Sequence, residues 1–327
     1  MTGIRKILIT AFRLLVTAGL LWALASRLDM ARVEDIAGHA SLPFLAASLA
    51  ALLAVIPANA MRWRAILAAE GLSPRLGSLT KLLFVGLFFN QVLPTGIGGD
   101  AVRAWRCRRL GVALGAAVRS VLLDRVSGYV VMVAIYAASL PALLRVLSDP
   151  SERTGIIMVF GAALSGLFAL PLMDRLPARL LRLPMIGALA DLAREARRLV
   201  ADPGRCAAVL GLSIVTIGLT VLGYALVGDS LGVPLSFATW LVVVPPVSLI
   251  QLMPISLAGW GVREAGMVVI LAGFGVPAEA ALATSVLMGL GLVAMGLPGG
   301  LIWLTDWDVA RARPKAADPL ARSGFVE

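Results

Sequence analysis

Two stretches of this chain, offset by 160 residues, carry the same interruption of an apolar run, and no uninterrupted helix accommodates it. Phe89 to Arg109 reads FNQVLPTGIGGDAVRAWRCRR, and Ile250 to Ala265 reads IQLMPISLAGWGVREA. Laying one on the other pairs Gln91 with Gln251, Pro94 with Pro254, Gly99 with Gly259 and Arg103 with Arg263. Each copy reaches a proline, crosses a glycine-rich break (Gly96, Gly98 and Gly99; Gly259 and Gly261) and resumes with an arginine. Proline removes a backbone donor and glycine permits conformations foreign to a helix, so both breaks are expected to contain irregular backbone. Within lipid such backbone is tolerated only where protein buries it or water reaches it. Paired interruptions in the two halves of a hydrophobic chain point to a transport site.

The surroundings of the breaks are apolar. Of 327 residues 59% are hydrophobic and 15% charged, with a mean hydropathy of +0.92, which is the composition of a polytopic membrane protein. The apolar runs predict an all-α architecture of about six full transmembrane helices, near 7–25, 42–60, 118–140, 155–172, 206–227 and 280–304. Two re-entrant broken hairpins are added by the segments from Leu79 and from Phe237. Residues 306–327, with Pro314 and Pro319 and mixed charge, are expected to be a disordered cytoplasmic tail. Ala23-Leu24-Ala25 resembles a signal-peptidase site, but Arg13 interrupts the run before it, so an uncleaved anchor is the preferred reading.

The formal charge of +10 does not indicate nucleic acid, because the basic residues lie in short loops between apolar runs. With the amino terminus inside, 23 of the 29 Lys and Arg fall in cytoplasmic segments and 4 in the opposite loops. Both termini are therefore placed in the cytoplasm, with the chain in the inner membrane. Three full crossings separate the two hairpins, an odd number, so the halves (about 5–145 and 150–305) are expected to be inverted repeats of one domain. Between them, Met185, Leu189, Leu192, Ala196 and Leu199 recur at helical spacing opposite Asp191, Arg194, Arg197 and Arg198. That pattern reads either as a helix lying on anionic lipid or as a connector packed on the bundle.

Arg103 and Arg263 are the sharpest candidates for binding, since charges at membrane depth are functional-site hypotheses by default. A guanidinium fork also matches phosphate geometry. Backbone N–H groups near Gly98, Gly99, Gly259 and Gly261 can add anion affinity at the start of each return helix. The structural alternative is local neutralisation by Asp100, three residues before Arg103, and by Glu264, adjacent to Arg263. Asp124 and Arg125 open the next span and point about 100° apart, so they are expected to find different partners. Asn90, Gln91 and Gln251 either line a polar cavity or cap the broken backbone. No metal site and no cofactor are expected: His39 is the sole histidine, and Cys107 and Cys206 lie in basic segments without metal-ligand company.

In combination, Asn90 to Pro94 with Gly98 to Arg103, Leu252 to Ser256 with Gly259 to Glu264, and Arg62-Trp63-Arg64 resemble the lysylphosphatidylglycerol synthase transmembrane region. This is the flippase-like domain of multiple peptide resistance factor proteins and of many small standalone membrane proteins, and the resemblance runs from about residue 5 to 305. It implies a cavity between inverted repeats and a phospholipid or other anionic, polar-headed lipid as substrate. Two departures stand out. Family members often have Glu-Arg where this chain has Asp124-Arg125, and the cytosolic acyltransferase-like domain of full-length synthases does not follow the last span, so aminoacyl transfer is not expected. No P-loop pattern is present to suggest ATP as a driving force. Two rival readings are a lipid-modifying transferase using Asp124 or Glu264 as base, and a scaffold for a biosynthetic enzyme partner.

Overall fold

In a computed structural model that describes residues 2–93, 98–251, 256 and 258–311, the described residues are predominantly helical, with no strand among them. In order, the helices are α1 (Thr2–Arg27), α2 (Met30–Gly38), α3 (Leu42–Ala69), α4 (Leu76–Val92), α5 (Gly98–Cys107) and α6 (Leu114–Val146). They continue with α7 (Pro150–Ala169), α8 (Ala178–Leu181), α9 (Pro184–Val200), α10 (Pro203–Ser230), α11 (Phe237–Gln251), α12 (Val262–Ala272) and α13 (Ala278–Arg311). Five are long and apolar enough to cross a membrane: α3, α6, α7 with its 3-10 extension to Arg175, α10 and α13. A sixth crossing requires α1 and α2 to act together, and they meet at a bend of 91°. The first arms of the two broken elements, α4 and α11, are apolar but shorter.

Two elements differ from the sequence expectation. The loop expected at 26–41 contains α2, whose amino end is capped where Asp29 accepts from the Arg32 N–H, and whose Val33 packs on Leu282 and Ala283 of α13. At the other end α13 runs to Arg311, into the segment expected as a tail; residues 312–327 lie outside those described.

Apolar surface alone does not favour helix over lipid as a neighbour, so association here relies on close packing and directional bonds. α3 and α10 lie together, with Ser48 Oγ donating to the Gly223 carbonyl at 2.9 Å. α6 and α7 are tied by Tyr136 and Tyr129, which donate to the Ile156 and Ala163 carbonyls at 2.9 and 2.8 Å. Against α4, α13 presents Gly296, Gly299 and Gly300, and a Cβ at Gly299 would lie 1.9 Å from the Phe84 carbonyl oxygen.

The two breaks are alike in sequence and unlike in structure. Pro94, Gly96 and Pro254 lie outside the described residues. In the first break Gly98 and Gly99 are already helical, and the glycine serves close approach: a Cβ on Gly99 would sit 1.8 Å from the Gly86 carbonyl oxygen of α4. In the second break Gly259 and Gly261 both take φ +83°, conformations that other residues adopt only with strain. Irregular backbone from glycine is therefore described in the second break, whereas Gly99 of the first allows two helices to touch.

The amphipathic segment is α9, and its inward stripe packs on the bundle. Leu192 and Leu199 are buried with Ile66 of α3, Leu123 of α6 and Val209 of α10, while Leu189 is exposed. Charge fastens the same contact, for Arg119 of α6 stands 3.3 Å from Glu195 of α9 and 3.8 Å from Glu70 at the end of α3. Burial, reinforced by the neighbouring Glu195 carboxylate, raises the Glu70 carboxyl above its ordinary 4.5, against the pull of Arg119 and Arg198.

Three outcomes follow for stability. Gly99→Ala should cost about 1–3 kcal/mol or more, because the new methyl overlaps α4 backbone. Gly218→Ala in α10, where a Cβ meets nothing within 4 Å, should be neutral or gain up to about 1 kcal/mol. Both are read by thermal unfolding in detergent. For Glu70 the folded value exceeds the unfolded one, so its contribution is fully present below pH 4.5 and is lost as pH rises through the folded value. Glu70→Gln should therefore raise the Tm at pH 7 and leave it unchanged at pH 4.

Candidate functional site

The charges in the first half converge on one carboxylate. Asp124, on α6 and 3% exposed, receives Arg62 Nε of α3 on Oδ1 at 2.8 Å. Its other oxygen accepts two hydrogen bonds from Arg103 of α5, both at 3.0 Å. Arg103 turns its remaining nitrogen to Asp100, one helical turn earlier, at 3.0 Å. Asp100 in turn accepts from Arg125 through Nε at 2.8 Å and Nη2 at 3.1 Å. The result is an alternating chain, Arg62–Asp124–Arg103–Asp100–Arg125, that joins α3, α5 and α6.

Local sequence builds this arrangement in steps. Asp100 and Arg103 are three apart in α5 and share a face. Asp124 and Arg125 are consecutive on α6, so they diverge, and their partners differ. Gly128, one turn beyond Asp124, leaves room for Arg62, whose Nη1 would lie 3.2 Å from a Cβ there. That same nitrogen donates to Ser213 Oγ of α10 at 3.1 Å, which brings a fourth helix to the cluster. Arg103 also lies over the Trp63 ring, 5.0 Å from its centroid, and Trp63 Nε1 donates to Ser120 Oγ at 3.0 Å. Access changes at one end: Arg62, Asp124 and Arg103 are buried, while the Arg125 side chain is 47% exposed.

The second cluster is smaller and closed. Arg263 donates to Glu264 Oε1 through Nε at 2.9 Å and Nη2 at 2.6 Å, and Nε also reaches Ser285 Oγ of α13 at 3.1 Å. Glu264 Oε2 accepts from the Gly261 N–H at 2.6 Å, satisfying a backbone donor at the start of α12. The guanidinium lies 4.6 Å from the Trp260 ring centroid and fills a space left by Gly289, where a Cβ would lie 2.1 Å from Nη2. Both charged residues are buried, Arg263 at 2% and Glu264 at 0% exposure.

Arg103 and Arg263 thus have separate partner sets, with no residue common to both among those described. The other candidates fall around the breaks. Asn90 Oδ1 accepts from the Gly99 N–H at 2.9 Å, Gln251 packs its side-chain carbons against Gly259, and Gln91 lies against Gly296 of α13. The backbone donors of Gly99 and Gly261 are therefore engaged by side chains of this chain. Among the described residues no three of His, Cys, Asp and Glu come together as a metal would require.

Arg62 joins the cluster without a local signal in the sequence. A basic residue after an apolar run is explained by orientation in the bilayer, so its burial was not visible. Gly128 and Gly289, which leave room for Arg62 and Arg263, are marked in the sequence only as small residues four positions after Asp124 and after Ser285. Arg106 is a third case, 2% exposed with its guanidinium 4.0 Å from the Trp303 ring centroid.

The model of one protein family, described as the lysylphosphatidylglycerol synthase TM region, matches residues 10–300. No curated protein matches the chain.

Removing one partner of a buried ion pair leaves the other charge uncompensated. Asp124→Asn should cost about 3–5 kcal/mol, because two buried guanidiniums lose their carboxylate. Arg125→Gln, at the exposed end, should cost no more than about 1 kcal/mol. Unfolding of both variants in one detergent checks the contrast, and equal losses would show that the chain of charges has no privileged centre.

Proposed function

We propose that this chain, which belongs to the lysylphosphatidylglycerol synthase TM region family, moves a phospholipid or another anionic, polar-headed lipid across the inner membrane of a bacterium. The observation that carries the reading is the charge excess of the Arg62–Asp124–Arg103–Asp100–Arg125 cluster: three guanidiniums meet two carboxylates. A lock between helices needs only balanced charge, as Arg263 and Glu264 provide. One positive charge left over, among apolar helices, suits a negatively charged visitor.

The visitor's phosphate is the group that arginine is shaped to hold, through two parallel N–H donors. Acyl tails stay in the bilayer while the headgroup follows the charged path. In this reading the α4–α5 and α11–α12 pairs are related by inversion, the termini are cytoplasmic, and rocking of the two halves alternates access to the headgroup. The buried pair at Arg263 supplies the firm attachment of α12 to α13 about which such rocking turns.

The test is movement of labelled lipid in vesicles of defined composition, with a panel of phospholipids and lipid-linked sugars. The parental protein should equilibrate at least one anionic probe between leaflets. Arg103→Gln, in protein shown to be folded and inserted, should slow that movement at least tenfold, equivalent to about 1.4 kcal/mol in the barrier. Parental rates in that variant, or movement of no probe by the parental protein, would remove the reading.

A further inference from the structure

The charged chain has two ends, Arg62 and Arg125, and both ends line one cavity. Its volume is about 360 Å³, and it lies between α3, α6 and α10. Each terminal arginine pairs with a single carboxylate, Arg62 with Asp124 and Arg125 with Asp100, whereas Arg103 between them pairs with both. The leftover positive charge is thus shared by two guanidiniums that look into the same space. Arg62 Nη2 donates to no described residue, its other two nitrogens being taken by Asp124 and Ser213.

The remaining walls divide by chemistry. Asn59, Tyr129, Thr216 and Thr220 bring polar groups. The hydroxyls of Tyr129, Thr216 and Thr220 are already committed as donors to carbonyls, so toward the cavity they offer oxygen lone pairs. Asn59 Oδ1 is buried with no partner, an acceptor that lacks a donor. Val55, Met132 and Ile217 make the apolar wall. A ligand that satisfies all of this has an oxyanion for the arginines, an O–H or N–H close by for Asn59, and an apolar body.

We propose that this cavity is a binding site for a phosphodiester, its oxyanion bridging Arg62 and Arg125, and that the ligand is a phospholipid whose headgroup bears a hydroxyl or ammonium donor. Phosphate closes the alternating chain into a ring: Arg62, Asp124, Arg103, Asp100, Arg125 and the phosphate, three positive groups against three negative ones. Inorganic phosphate carries the same oxyanion but leaves the apolar wall uncovered. The inference names the site at which the proposed translocase takes its headgroup, and it places that site at the two chain ends instead of between Arg103 and Arg263.

Binding is tested apart from transport. The purified protein in detergent is titrated with short-chain phosphatidylglycerol, with phosphatidylcholine of the same chain length, and with inorganic phosphate, and the Tm is followed as a function of ligand. Phosphatidylglycerol should raise the Tm saturably, and phosphatidylcholine, which lacks both net charge and a headgroup donor, should need at least tenfold higher concentration. Two variants fill the cavity from opposite walls without touching the ion pairs, Val55→Phe on α3 and Ile217→Trp on α10. Either one, if folded, should abolish the phosphatidylglycerol shift, and Arg125→Gln should weaken it at least tenfold. An undiminished shift in both filled variants would overturn the site. A shift as large with inorganic phosphate as with phosphatidylglycerol would overturn the lipid as its ligand. Tight phosphatidylglycerol binding here by a protein that moves no lipid would sink the translocase reading and leave this site standing.

Discussion

The structure depends on the two oxygens of Asp124 being given to two different helices. Oδ1 holds Arg62 of α3 and Oδ2 holds Arg103 of α5, so a single carboxylate on α6 fixes the relative position of three elements. In water such a pair competes with solvent for each hydrogen bond; among apolar helices the alternative for each ion is burial without a partner, which is far costlier. Because lipid tails solvate leucine as well as another helix does, directional bonds decide which helices become neighbours. Ser120, Trp63 and Ser213 extend the same joint, the first two by holding the ring under Arg103 and the third by bringing α10 to Arg62.

The two breaks show how one sequence pattern serves two purposes. At Gly99 the missing side chain lets α5 come within contact distance of α4, which sets Asp100 and Arg103 against α6. At Gly259 and Gly261 the freedom is in φ, and it turns the chain so that the Gly261 N–H meets Glu264 at the head of α12. One break thus delivers a charged face to its neighbours, and the other seals a neutral pair behind a cap. The halves resemble each other in sequence, but their electrostatics are different.

How much of this could be read from the residues differs by kind. Arg103 and Arg263 stood out because charge in apolar surroundings is conspicuous, and their partners Asp100 and Glu264 lay within one helical turn. The pairing of Asp124 with Arg62 did not, since the two are 62 positions apart and nothing local links them. Orientation in the bilayer already accounted for Arg62, so its burial had no separate signature. α2 was hidden for a different reason: Met30–Gly38 is short and polar enough to read as a loop, and only Asp29 at the capping position marks its start. The stripe on α9 was plain, yet a stripe says that a face is buried and not what buries it; Ile66, Leu123 and Val209 come from three separate helices.

The arrangement of access along the charged chain bears on how an anion enters without unfolding the joint. A bare guanidinium at membrane depth is expensive, so a site that waited empty with an unpaired arginine would destabilise the protein. Here each arginine keeps a carboxylate, and the excess charge is spread over the two ends. The half-exposed end, Arg125, holds Asp100 in a pairing whose net worth is small, while the buried centre holds Asp124 in one that is costly to break. An oxyanion at the proposed site therefore draws on the arginine whose existing pair is cheapest to weaken. In the proposed ring the oxyanion adds to Arg62 and Arg125 without displacing Asp100, so Arg62, Asp124 and Arg103 stay in place and the helices stay joined while the ligand changes. The anion preference we propose follows from the same geometry, because a cation arriving at the cavity meets two guanidiniums and reaches the carboxylates only by displacing them.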